Sequence, residues 1–123
     1  MKVSIEKTEH YTLFSLGNSP ADNSAIEELL QRAHELIEQE EIVYFIFDLN
    51  PISDLIQTLI DGLQAITESL VLKGGLLINV HNEPSMLARF EDQQLVMVPK
   101  VEEAIEYIYM DQLEKQFLGD SEE

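Results

Sequence analysis

Cysteine is absent from all 123 residues. That absence removes disulfides, thiol chemistry and thiolate zinc sites together. Basic side chains are scarce: 7 Lys and Arg stand against 24 Asp and Glu, for a net charge of −17. Such a surface repels phosphate backbones and anionic lipid heads. Neither nucleic acid nor a membrane is therefore an expected partner; a protein with a basic face is one that the charge would admit. A plainer reading of the same charge is solubility. Long apolar runs are also missing. The longest, Ile42 to Phe47, is far too short to cross a bilayer. The opening Met1-Lys2-Val3-Ser4-Ile5-Glu6-Lys7 alternates in charge and carries no signal-peptide core, which makes the cytoplasm the expected compartment. No internal repeat, low-complexity tract or linker interrupts the chain. A single domain over residues 1–119 with an acidic tail at 120–123 is expected. No catalytic triad, nucleophile elbow or distinctive carboxylate pair stands out, so neither enzymatic activity nor a cofactor is expected.

What the chain does have is alternation of strand and helix patterns. Lys2 to Thr8 alternates, Tyr11 to Leu16 is rich in strand formers, and His10 marks the joint of a hairpin. Gly17-Asn18-Ser19-Pro20 breaks it. A helix over 21–39 places Ile26, Leu29, Leu30, Ala33, Leu36 and Ile37 on one face. Ile42 to Phe47 is apolar at every position, the look of a strand covered on both faces. The helix over 54–72 turns Leu55, Ile56, Leu59, Ile60, Leu63, Ile66, Leu70 and Val71 inward. Two starts compete for it: Asp54 as N-cap with Gln57 three residues on, or Asn50 as cap with Pro51 in the first turn. Lys73-Gly74-Gly75 ends the helix. A buried strand at Leu76 to Val80, a short helix at Glu83 to Phe90, a short strand at Leu95 to Val98 and an amphipathic helix over 101–118 complete the order. The fold class is α/β: a mixed sheet of about five strands, an opening β-hairpin, helices packed on the sheet and a long C-terminal helix.

Several residues have both a functional and a structural reading. His34 and Glu38 share a helix face at i, i+4, but two ligands do not make a metal site, and an exposed pair is the better account. No metal site is expected. His81 follows a strand, where α/β folds place ligands; without a nucleophile or acid beside it, a solvated loop histidine is expected. Gly74-Gly75 is a turn, since no helix starts after it to cradle a phosphate. Asp48 sits where a receiver domain has its phosphoacceptor, but the acidic pair such a domain needs after its first strand is missing from Lys7-Thr8-Glu9-His10. Asp48 is expected to order its loop.

Asp48-Leu49 closing the central strand, Gly74-Gly75 before Leu76-Leu77-Ile78-Asn79-Val80, and Val101-Glu102-Glu103-Ala104-Ile105 opening the last helix are in order and at fitting distances. Together they resemble the STAS domain of bacterial anti-sigma factor antagonists, over nearly the whole chain. The resemblance implies regulation by protein contact within a partner-switching circuit, with an anti-sigma factor or kinase as partner. In that family an Asp-Ser-Ser-Gly-like tetrapeptide opens the second helix, and its second hydroxyl residue is phosphorylated. The spacing from Asp48 to Gly74 puts the tetrapeptide on Ile56-Gln57-Thr58-Leu59, with Thr58 at the acceptor position, Ile56 in place of Asp and Leu59 in place of Gly. A shifted reading uses Ser53-Asp54. The implied docking face comprises Asn50, Ser53, Asp54, Gln57, Thr58 and Asp61. The structural readings are an exposed helical threonine for Thr58 and an N-cap for Asp54. A STAS-like scaffold or small-ligand sensor without phosphorylation is the alternative function. Finally, Met110, Leu113, Phe117 and Leu118 carry apolar surface past where the family's last helix stops. That surface is expected either to fold back over the first helix or, by preference, to pair with a second copy as a homodimer.

Overall fold

A computed structural model describes residues 3–16, 23–39, 43–52 and 56–121. Within them the elements run β1 (Val3–Lys7), β2 (Thr12–Leu16), α1 (Asn23–Gln39), β3 (Tyr44–Asp48), α2 (Gln57–Leu72), β4 (Leu76–Val80), α3 (Pro84–Asp92), β5 (Met97–Val98) and α4 (Val101–Ser121). The five strands form one sheet in the order β1-β2-β3-β4-β5. β1 pairs antiparallel with β2, as a hairpin must, and every later pairing is parallel. The mixed sheet expected from the sequence is therefore present, with β3 at its centre.

Burial on both faces explains why β3 is apolar throughout. Side chains alternate across a strand, and here each side meets a different layer. Phe45 and Phe47 join Phe14 and Leu77 against Leu29, Leu59, Leu63, Ile66 and Phe90 from α1, α2 and α3. Tyr44 and Ile46 join Ile78 and Val80 against Ala104 and Ile108 from α4. The rings of Phe14 and Phe45 meet at a tilt 4.9 Å apart and those of Phe14 and Phe47 meet edge-on 5.1 Å apart, contacts that help fix the first layer. Among the described residues one face of the sheet thus carries three helices and the other carries α4 alone.

Four expectations need correction. α2 starts at Gln57 rather than residue 54, with Ile56 in an extended conformation as its N-cap and no side-chain cap. Asn50 and Pro51 form a separate turn, closed by Ile52 N–H donating to the Leu49 carbonyl at 2.9 Å. Val71, expected inward, is 53% exposed at the end of α2. α4 runs through Gly119 to Ser121; one glycine costs a helix only about 1 kcal/mol, too little to end it. Lastly, α4 packs on β3, β4 and β5 while α1 packs on α2, β1 and β2. The two helices occupy opposite faces of the sheet, so the C-terminal helix does not fold back over the first. Ile42, Ser53, Asp54, Leu55 and the side chains of Phe117 and Leu118 lie outside the described residues.

Candidate protein-docking site

The carboxyl ends of parallel strands are where open α/β sheets bind, and here the ends of β3 and β4 are tied together by a small polar network. Asp48 closes β3 and its Oδ1 accepts from the Asn50 backbone N–H at 3.2 Å and from Asn50 Nδ2 at 2.8 Å. That is the loop-ordering role expected of it. Asn50 Oδ1 in turn accepts the Asn82 N–H at 2.9 Å, joining the loop after β3 to the loop after β4.

His81 holds the same two loops from below. Its side chain is 5% exposed, and its Nε2 lies 2.7 Å from the Ile52 carbonyl oxygen. Its Nδ1 accepts the Glu83 N–H at 3.1 Å. An acceptor at Nδ1 requires the neutral tautomer that carries its proton on Nε2, and that proton is what Ile52 accepts. The solvated loop histidine expected from the sequence is thus a buried tether. Its position directly after a strand end was the legible signal. A carbonyl 29 residues upstream is a partner that spacing alone does not reveal. A hollow of about 210 Å³ lies beside it, lined by Ile52, His81, Glu83, Ser85, Met86 and Arg89.

α2 begins beyond the Asn50 turn. Gln57, Thr58 and Asp61 are exposed, whereas Leu59 and Ile60 turn into the core. Gln57 Nε2 donates to Asp61 Oδ1 at 2.8 Å, a one-turn pair on the outer face. Thr58 lines a shallow hollow of about 70 Å³ with Ile56, Ile26 and Glu27. Glu27, which the sequence did not single out, thereby stands beside the candidate acceptor. The first turn of α2 contains no acidic residue, and its N-cap residue, Ile56, makes no side-chain cap. The structure thus brings Gln57, Thr58 and Asp61 onto one exposed surface. It holds Asn50 separately, in the network with Asp48 and Asn82. Ser53 and Asp54 lie outside the described residues.

No family model matches this chain and no curated protein does. Solved structures do. The unphosphorylated form of the anti-sigma factor antagonist SpoIIAA aligns with a TM-score of 0.71 at 19% identity, covering 87% of this chain and 96% of that one. Its phosphorylated form, described as a Bacillus cell fate determinant, aligns with a TM-score of 0.68 at 20% identity, covering 86% and 98%. A variant of RsbS from Moorella thermoacetica aligns with a TM-score of 0.73 at 10% identity, covering 89% and 96%.

The chain has the STAS fold.

At these identities the likeness concerns architecture, and function has to be argued from the site. The STAS fold itself accounts for the placement: the loop after the central strand and the start of the following helix share the carboxyl edge of the sheet. Elsewhere the described residues offer little chemistry. His34 and Glu38 are both exposed on α1. No group of three or more His, Asp or Glu among the described residues is arranged to hold a metal ion. No helix among the described residues is long and apolar enough to cross a membrane.

Proposed function

We propose that this chain is a non-enzymatic regulatory domain that binds other proteins through the start of α2, in the manner of an anti-sigma factor antagonist in a cytoplasmic partner-switching circuit. The observation that carries the reading is Thr58. It is exposed in the first turn of α2, at the point where the resemblance puts the phosphoacceptor. Gln57 and Asp61 extend the surface around it, Asn50 lies on the neighbouring turn, and Ser53 and Asp54 belong to the segment between. Phosphorylation of Thr58, or of Ser53 in the shifted register, would add about 1.5 to 2 negative charges. Those charges would arrive beside Glu27 and Asp61 and turn a mixed polar surface into a strongly anionic one, repelling a partner that docks on the unmodified form. The partner in this reading is an anti-sigma factor or its kinase, and residues 1–119 act as one domain.

A second reading has its own support. Leu59 is fully buried where the family motif has glycine, and Ile56 packs on the core where the motif has aspartate. A chain that has given both positions to packing suits a scaffold or small-ligand sensor that keeps the fold without the phosphorylation switch.

The test uses the partner recovered by pull-down from the native host. Thr58→Glu is expected to weaken that complex at least tenfold while shifting stability by no more than about 0.5 kcal/mol, as for other exposed sites. Affinity untouched by both Thr58→Glu and Asp54→Lys would remove this face from consideration. Incubation with the partner kinase and ATP, read by phosphate-affinity gels on the wild type, Thr58→Ala and Ser53→Ala, separates the two readings. Binding without any modification favours the scaffold.

A further inference from the structure

Among the described residues α4 is the only helix on its side of the sheet, and only Ala104 and Ile108 of its described side chains are buried completely. Val101 and Ile105 complete the inner face. One flank is occupied: the rings of Tyr109 and His10 meet edge-on at 5.3 Å, and Gln112 Nε2 donates to the His10 carbonyl at 3.2 Å. The opposite flank is open. There Val98 and Pro99, at the edge of the sheet, and Tyr107 and Met110, on α4, form the floor of a groove of about 570 Å³. Met110 is 61% exposed and Tyr107 43%. Glu103, Glu106, Asp111 and Glu114 make its rim. Among the described residues only Asp111 of these four has an ion-pair partner, Lys115 at 2.7 Å.

We propose that this groove binds a cationic amphipathic helix of a partner protein. Apolar side chains at i and i+3 flanked by carboxylates on the same helix face are the complement of a helix with apolar anchors one turn apart and Lys or Arg beside them. Glu103 to Glu114 spans about 16 Å along the axis, room for three turns of a partner helix. A strand added to the sheet edge is the poorer occupant, since β5 has only two residues to pair with. A second copy is poorer too. Two identical grooves would set carboxylate rims against each other within a chain of net charge −17, and like charges placed across an interface cost several kcal/mol. Of the residues on which the expected homodimer rested, Met110 alone lines this groove, and the carboxylates around it suit a basic partner better than a second copy. This surface is distinct from the start of α2, so it allows a second protein to bind while the first site is occupied.

The probe is a synthetic leucine–lysine amphipathic peptide of about 14 residues, long enough for three to four turns. It is titrated into the full chain by calorimetry, with amide shifts mapped by NMR. The expected result is micromolar binding, with shifts concentrated on Val98, Glu103, Glu106, Tyr107, Met110 and Glu114. Met110→Asp, at a position already in solvent, should weaken binding about tenfold, and Glu106→Lys should do the same and flatten the salt dependence. A scrambled peptide of equal charge, unable to form an apolar face, should bind at least tenfold more weakly. Equal binding of the scrambled peptide would overturn the proposal by reducing it to attraction between net charges. So would binding that survives Met110→Asp, or a full-length chain that sediments as a dimer through this face at low and high salt. None of these results depends on Thr58, so the docking face at α2 stands or falls separately.

Discussion

Gly74 and Gly75 are adjacent and look interchangeable in sequence, yet alanine should affect them very differently. At Gly75 an ideal Cβ would lie 1.8 Å from the Val43 carbonyl oxygen and 2.6 Å from Val43 Cγ2. That carbonyl accepts the Leu76 N–H at 3.2 Å and begins the parallel β3–β4 pairing, and the Gly75 N–H donates to Leu70 O at 2.7 Å. The obstacle is backbone, so no rotamer change relieves it. Relief requires β3 and β4 to part locally by more than about 1 Å, in an interior too dense to yield. Two hydrogen bonds at about 1 kcal/mol each and overpacking strain of about 1–3 kcal/mol give a cost for Gly75→Ala of about 3–5 kcal/mol. Domains of this size are stable by about 5–15 kcal/mol, so the variant should lose a large share of its stability. Gly74 has φ 88° and nothing within 4 Å of its would-be Cβ. Its alanine variant meets only the left-handed penalty of about 1–2 kcal/mol, offset by about 0.4–1 kcal/mol through a less flexible unfolded chain. A net loss of about 1 kcal/mol remains. Urea unfolding followed by far-UV circular dichroism measures both variants, with equal slopes required for the comparison. Gly74→Ala proving as damaging as Gly75→Ala, or Gly75→Ala losing less than about 1.5 kcal/mol, would refute the assignment of one glycine to contact and the other to conformation.

The buried tether at the carboxyl edge gives a second expectation. His81→Ala removes both the Ile52 and the Glu83 bonds and should cost about 2–4 kcal/mol, with hydrogen exchange accelerated first at Glu83; an unchanged urea midpoint would contradict the tether. A third concerns alkaline pH. Burial first, and Asp111 after it, push the Tyr44 hydroxyl above its ordinary value of 10.0, against the opposing pull of Lys115. Lys115 is lowered by partial burial but raised on balance above 10.5 by Asp111 and Tyr44. Both groups hold their protons more tightly folded than unfolded, so their contribution is complete below pH 10.0 and is lost as pH rises through the raised values. Stability measured against pH should therefore fall above pH 10.0, and Tyr44→Phe should make that fall shallower; a steeper fall in the variant would reverse the sign of the argument.

Patterns that depend on neighbours along the chain were legible in the sequence, and those that depend on neighbours in space were not. Ile42 to Phe47 announced a central strand because burial on both faces leaves no polar position, and Tyr44–Asp48 holds that place with one face on α1 and α2 and the other on α4. The hairpin, the alternation and the loop role of Asp48 are likewise local. The start of α2 was missed because Asp54 and Asn50 each offered a good cap by local chemistry, while the observed start at Gln57 follows Ile56, an N-cap residue that makes no side-chain cap. A helix whose apolar face carries Leu59, Leu63, Ile66 and Leu70 in the core gains enough from packing to begin at a residue that offers no cap of its own. The route of α4 was hidden for the opposite reason. Val101, Ala104, Ile105 and Ile108, spaced at three and four, marked its sheet-facing side and do pack there, but the apolar residues beyond them spread around the helix, and periodicity does not say which face of the sheet is covered. The choice was made by β3, β4 and β5, whose second face has no other helix among the described residues to cover it. That single-helix cover is also why Tyr107 and Met110 remain exposed beside the edge of the sheet. The topology that buries β3 so thoroughly leaves a second surface, set apart from α2, with an apolar floor and a carboxylate rim.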